Sequence, residues 1–180
     1  LGGCAMLLGL VLILGAGGYE ASRITAWQDP FSDPTDDGYQ IIQSLYAIGS
    51  GGLFGLGLGN GRQKYLYLPE EHNDYIFSIA CEELGLTGAA AILLLYALLI
   101  LRGYWISMHI RDRFLSLTVA GITTLTALQV FFNIGVVTNL LPSTGISLPF
   151  FSYGGTALLI QLGEMGIILG ASRQCSAGFL

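Results

Sequence analysis

Four long apolar runs and one polar stretch organise the chain. Residues 1–18 contain no charged side chain, and neither do residues 84–101. No charge occurs between Arg113 and Glu164 either, a stretch too long for one helix, which Pro142 and Pro149, with Ser143 and Gly145 between them, cut into two spans. At ~1.5 Å per residue, a helix of about 20 apolar residues crosses a hydrocarbon core ~30 Å thick. The pattern predicts four transmembrane helices at about 1–18, 80–102, 115–138 and 152–172, with a long loop at about 19–79. The fold class expected is an all-α polytopic membrane protein. The first run begins at Leu1 with no charged segment before it, so it does not read as a signal peptide. The chain is expected to be the later part of a longer membrane protein.

The loop is too long to be mere connection. Within it, Gly38–Gly49 predicts a short amphipathic helix, with Gln40, Gln43 and Ser44 opposite Ile41, Ile42 and Leu45. The glycine-rich run Ser50–Gly61 does not satisfy GxGxxG and lacks a strand-then-helix setting. It reads as close backbone packing and re-entrant turns rather than a phosphate cradle.

Composition supports the membrane reading. Hydrophobic residues make up 53% of the chain, charged residues 11%, and the mean hydropathy is +0.66. An average soluble domain carries roughly 25% charged residues. Seven Lys+Arg against twelve Asp+Glu give a net charge of −5, which leaves no basic footprint for nucleic acid. Cys4, Cys81 and Cys175 are isolated, which argues against a disulfide framework or a zinc site. Charge also predicts orientation. Arg102, Arg111 and Arg113 against Asp112, and Arg173 after the last span, place those ends in the cytoplasm by the positive-inside bias. The acidic 19–79 loop and the Pro142–Pro149 connection then lie outside.

Candidate chemistry concentrates in Leu68–Gly85 (LPEEHNDYIFSIACEELG). Asn73 or His72 is expected to cap a helix starting near Asp74. Asp74, Ser78 and Glu82 would then share a stripe at i, i+4 and i+8. Such a stripe cannot face lipid and is expected to line a polar cavity open to the outside. Plainer readings stand beside these: Asp74 as a helix-start carboxylate, Glu82 and Glu83 as interfacial acids paired with Arg23 or Arg62, His72 as a cap, and Glu70 and Glu71 as solvated. Glu164, inside the last span, is expected to pair with Gln129, Asn133 or Asn139.

PEEHNDYIF followed by EELG resembles the outer-loop signature of the SEDS family of bacterial division, elongation and sporulation proteins, FtsW, RodA and SpoVE. LPSTGISLPFFSYGG (Leu141–Gly155) resembles the family's second signature. The likeness runs over about residues 19–173 and leans towards the FtsW/SpoVE branch. Asn73 stands where Thr is commoner, and Ser143 where larger residues are frequent. The resemblance implies about ten transmembrane helices, of which this chain would supply the last four, in the bacterial plasma membrane.

It further implies peptidoglycan glycosyltransferase activity: polymerisation of lipid II alongside a class B penicillin-binding protein and other divisome or elongation proteins. The family's essential acid falls on Asp74. One carboxylate suits this chemistry. The acceptor 4-OH must lose a proton as it attacks C1 of the donor. The lipid pyrophosphate leaving group needs charge stabilisation more than protonation, unlike the sugar leaving group that gives glycosidases two carboxyls. Arg62 and Lys64 are the candidates for pyrophosphate binding, with His72 and Glu82 keeping the substrate site polar and Asp74 oriented. A divalent metal (Mg or Mn) bridging Asp74 and the pyrophosphate is chemically sensible, but no carboxylate cluster marks one, and a metal there would compete with the general-base role. Two other functions compete: a lipid II flippase, for which Glu164 would matter more than Asp74, and a non-enzymatic scaffold for the penicillin-binding protein.

Overall fold

The computed structural model describes residues 19–31, 37–61 and 74–176. The expected first span, and the candidate site residues Arg62, Lys64 and His72, lie outside the described residues. Those described form five helices and no strand: α1 (Tyr19–Gln28), α2 (Asp37–Gly51), α3 (Ile76–His109), α4 (Arg113–Val137) and α5 (Gly155–Ser176). The all-α architecture agrees with the hydropathy pattern. Helices α3, α4 and α5 are each long and apolar enough to cross a membrane, and the chain is a multi-pass membrane protein. Leucines such as Leu94, Leu95, Leu98 and Leu101 project from α3 with more than half their surface exposed, as a lipid-facing wall requires.

Antiparallel α3 and α4 form the central pair. They approach closely at Gly103, where an added Cβ would fall 2.4 Å from the Thr123 hydroxyl oxygen. Thr118, Thr123, Thr124 and Thr126 each donate their hydroxyl to the carbonyl four residues earlier in α4, which satisfies a polar group without water. One apolar cluster (Tyr75, Phe77, Ile92, Tyr96, Val130, Val137, Leu148) fills the Asp74 end of the bundle. A second (Ile106, Ile110, Val119, Ile168, Ala171) fills the opposite end.

Helix α3 extends to His109, so Arg102 is helical and the link to α4 shortens to Ile110–Asp112. The Arg102 guanidinium lies 4.2 Å from the Trp105 ring centroid, and Trp105 stacks on His109 at 4.2 Å, an aromatic and cationic pairing suited to a membrane interface. Asp112 caps α4 by accepting from Phe114 N–H at 3.2 Å.

Two expectations about the upper part of α3 need correction. The helix starts at Ile76, and Tyr75 in the cap position makes no side-chain cap bond, so Asp74 belongs to the preceding turn. The Asp74–Ser78–Glu82 stripe does not line an open cavity. Ser78 and Glu82 are 0% and 1% exposed, because α2 and the glycine-rich run pack over them. Ser44 hydrogen-bonds Ser78 at 2.7 Å and donates to the Val137 carbonyl at 2.8 Å, joining α2, α3 and the end of α4. Ser44 is therefore buried with Ile41 and Ile42 rather than on an opposed polar face.

The glycine-rich run has a specific purpose. Helix α3 breaks at Gly85 (φ 68°, ψ −167°), a conformation that favours glycine. The break deprives nearby backbone groups of helical partners, and the run replaces them. Leu56 and Gly57 N–H donate to the Glu82 and Glu83 carbonyls, at 3.0 Å each, while Leu86 and Thr87 N–H donate to Gly52 and Leu53 at 2.9 and 3.2 Å. Contact this close excludes side chains: a Cβ on Gly55 would fall 2.1 Å from the Glu83 carbonyl oxygen. Gly55→Ala, which combines that overlap with φ +77°, should cost about 2–4 kcal/mol of stability, read as a lowered midpoint in thermal unfolding of the detergent-solubilised protein.

Candidate functional site

Asp74 sits where three parts of the chain separated widely in sequence converge. It ends the acidic stretch that precedes α3 and stands two residues before that helix. The Leu141–Gly154 segment between α4 and α5, expected as a short connection, is a strap lying across this position. Gly145 of the strap takes φ +67°, and a Cβ there would lie 3.4 Å from Asp74 Oδ2. The Asp74 carboxylate thus packs directly against the second signature.

The strap is fixed from several sides. Arg23 of α1 donates from Nη1 to the Ser143 carbonyl at 3.2 Å. Trp27 Nε1 donates to the Asn139 carbonyl at 3.1 Å. Beyond the contact with Asp74, the Tyr96 hydroxyl donates to the Pro149 carbonyl. Gln161 of α5 accepts from the backbone N–H of Phe150 at 2.8 Å, where Phe150 adopts φ 65°, and Ser152 Oγ accepts from Leu148 N–H at 2.8 Å. Two prolines keep this segment from regular structure, and side chains from α1, α3 and α5 bond to its carbonyls and to the Phe150 N–H.

From beneath, Asn133 of α4 reaches both signatures. Its Nδ2 donates to the Asp74 carbonyl and to the Ile146 carbonyl, each at 2.8 Å. Asn133 and Asn139 are thus engaged at the site and at α1, and not with Glu164 as expected. Among the described residues no contact pairs Glu164 with Gln129, Asn133 or Asn139; Glu164 is half-buried on α5.

Tyr75 completes the floor. Its ring is 2% exposed. Burial pushes its phenol above the ordinary tyrosine value; neighbouring Ser143 opposes the rise, the Asp74 charge adds to it and the Arg23 charge opposes it. Tyr75 therefore stays neutral at physiological pH and leaves Asp74 and Arg23 as the charged groups around it. Its hydroxyl completes no hydrogen bond among the described residues.

The sequence-predicted site residues thus divide. Asp74 is half-buried at the convergence. Glu82, singled out with the substrate site and expected to keep it polar, is buried rather than open to a cavity: an added Cβ on Gly61 would lie 3.0 Å from Glu82 Oε2, so the carboxylate lies under the glycine-rich run. Arg23, Tyr75 and Asn133 were not among the expected site residues. Arg23 could have been suspected as the first base of an acidic loop. Nothing in the local pattern distinguishes Asn133, a lone amide in an apolar span, from a polar residue paired within the bundle. Among the described residues no three His, Cys, Asp or Glu side chains stand together as a metal site.

The chain is similar in sequence and in fold to known proteins. Residues 2–177 match the FtsW/RodA/SpoVE family, described as cell cycle proteins. Stage V sporulation protein E of Bacillus subtilis (strain 168) is 50% identical over 171 residues, covering 95% of this chain and 46% of that protein. The probable peptidoglycan glycosyltransferase FtsW of Geobacter sp. (strain M18) is 45% identical over 172 residues, covering 96% and 47%. The chain spans about half the length of these relatives. Among solved structures, one describing the structural coordination of polymerization and crosslinking by a peptidoglycan synthase complex superposes with a TM-score of 0.73 at 29% identity, over 95% of this chain and 46% of its own. A mutant of the rod-shape-determining protein RodA from Thermus thermophilus superposes at 0.56 with 34% identity, over 72% and 39%. By sequence match across nearly its whole length and by fold, the chain belongs to the FtsW/RodA/SpoVE family.

Proposed function

We propose that this chain carries the Asp74 half of a peptidoglycan glycosyltransferase that polymerises lipid II, with Asp74 as the general base. The observation that carries the reading is the seating of Asp74: its carboxylate lies against the second family signature, and its backbone is tied to that signature through Asn133, next to a charge-bearing α1. Relatives named as probable peptidoglycan glycosyltransferases, and a structural neighbour drawn from a peptidoglycan synthase complex, support it.

The chemistry follows from one well-placed carboxylate. Asp74 accepts the proton of the acceptor 4-OH as that oxygen forms its bond to C1 of the donor. The C1–oxygen bond to the pyrophosphate breaks, and the electron pair leaves with the lipid pyrophosphate. Positive charge is what the departing group needs. Arg62 and Lys64 supply it in this reading, with His72 two residues before Asp74 in sequence and Arg23 bonded to the strap beside Asp74. Were a magnesium or manganese ion bound, Asp74 would be its protein carboxylate and the ion would supply positive charge for the pyrophosphate, in competition with the general-base role.

The arginines at 102, 111, 113 and 173 lie towards the bundle end opposite Asp74, which by the positive-inside bias supports the reading that Asp74 faces the outer side of the bacterial plasma membrane. There the donor's headgroup is presented, and a class B penicillin-binding protein and other division or elongation proteins would receive the product.

In the complete protein with its partner, Asp74→Asn should abolish glycan-chain formation from purified lipid II, a loss of at least about 100-fold, while lipid II binding persists. Wild-type-like chains would refute the assignment. In reconstituted vesicles, Glu164→Gln should leave both polymerisation and exposure of lipid II in the outer leaflet within about twofold of wild type, since no proton-relay partner stands beside Glu164 among the described residues. Altered exposure with normal polymerisation would favour the transporter instead.

A further inference from the structure

Resting on the reading of Asp74 as the base, we infer that Asn133 is a positioning residue, setting where the Asp74 carboxylate sits without touching substrate. Asn133 is 1% exposed, so it is shut off from any sugar or pyrophosphate. Its amide nitrogen serves two acceptors at 2.8 Å, the Asp74 and Ile146 carbonyls. An amide NH₂ has two hydrogens, and here each has its own carbonyl. The two acceptors also settle the amide's orientation, because the reversed arrangement would set an oxygen against two carbonyl oxygens.

The geometry closes a small triangle. Asn133 ties the backbone of Asp74 to Ile146, and the residue before Ile146, Gly145, is the one against which the Asp74 carboxylate lies. The same amide therefore fixes both the root of the base and the surface its carboxylate rests on. The third vertex belongs to α4, whose own end is pinned through the Val137 carbonyl to Ser44. Releasing the amide frees the Asp74 turn and the strap to shift relative to one another, while both remain folded.

The amide is poorly explained as a stabilising group. Its Oδ1 is buried and has no hydrogen-bond partner among the described residues, a penalty that an apolar core position does not carry. What it supplies instead is alignment, and a misplacement of ~1 Å near reacting atoms can cost about 100-fold in rate.

The test uses the complete protein with its partner, polymerising purified lipid II. Asn133→Leu keeps the approximate shape and removes both donors; Asn133→Gln keeps the donors on a longer arm. Asn133→Leu should lower kcat per folded enzyme by about 10- to 100-fold while KM stays within about twofold. Asn133→Gln should recover part of kcat even where its thermal midpoint is no higher than that of Asn133→Leu. A merely structural amide gives the opposite result: kcat per folded enzyme unchanged, with losses tracking the thermal midpoint, and that overturns the inference. Should Asn133→Leu fail to accumulate, Asn133→Asp, isosteric and short of at least one donor, decides by the same kcat and KM criterion. Asp74→Asn runs alongside. If Asp74→Asn is inactive while Asn133→Leu retains wild-type kcat, only the positioning role fails; if Asp74→Asn polymerises normally, the assignment of the base fails first.

Discussion

The backbone of a membrane-embedded chain must find its hydrogen-bond partners within the protein, because the hydrocarbon offers none. Helix α3 meets this requirement along most of its length and breaks it at Gly85, where the left-handed backbone interrupts the ladder. The glycine-rich run answers with four backbone bonds, two accepted by the helix above the break and two donated by it below. Much of the Asp74 end depends on that repair. It lets the first turns of α3 stand apart from the long apolar span, lays α2 across them, and encloses Ser78 and Glu82. Both sides of the repair need backbone-to-backbone approach, which is why glycine occupies Gly51, Gly55 and Gly85.

The strap between α4 and α5 obeys the same constraint by other means. Pro142 and Pro149 remove donors, and positive φ at Asn139, Gly145 and Phe150 turns the chain too sharply for regular structure. Side chains from four helices therefore do the bonding: Arg23 and Trp27 from α1, Tyr96 from α3, Asn133 from α4 and Gln161 from α5. The partners of the strap are as many as 120 residues away in sequence. A site assembled from such distant segments needs the packed bundle, so the surroundings of Asp74 are built from long-range contacts.

This explains which parts were legible in the sequence. Charge-free runs determine membrane helices because length and hydropathy are local properties, and α3, α4 and α5 fall where the runs lie. Asp74 was legible through a motif that spans only a few residues. The direction a side chain faces was not. A stripe at i, i+4 and i+8 tells that Ser78 and Glu82 share a face, but not whether a cavity or another helix covers it; the partner, α2, carries a serine at the one position where the stripe needs a hydroxyl. Asn133 and Asn139 illustrate the same limit. As lone amides near the end of an apolar span they offered themselves to Glu164, and only the strap's placement shows that carbonyls of Asp74 and Trp27 claim them. His72, Arg62 and Lys64 were singled out by local sequence and fall outside the described residues.

Three buried polar atoms lack a hydrogen-bond partner among the described residues: Tyr75 Oη, Asn133 Oδ1 and Asn139 Oδ1. Each is a cost of about 1–3 kcal/mol when left unmet, large beside the net stability of a typical fold. Random placement would scatter such costs through the bundle. They gather at one end instead, on the residue after Asp74, on the amide beneath it and at the foot of the strap. The second apolar cluster, at the arginine end, contains none. Elsewhere along the α3–α4 seam the buried polar side chains Ser107, Thr123 and Thr126 all find hydrogen-bond partners. Polar groups at the Asp74 end surround one carboxylate, and the two ends of the same helices differ in this respect.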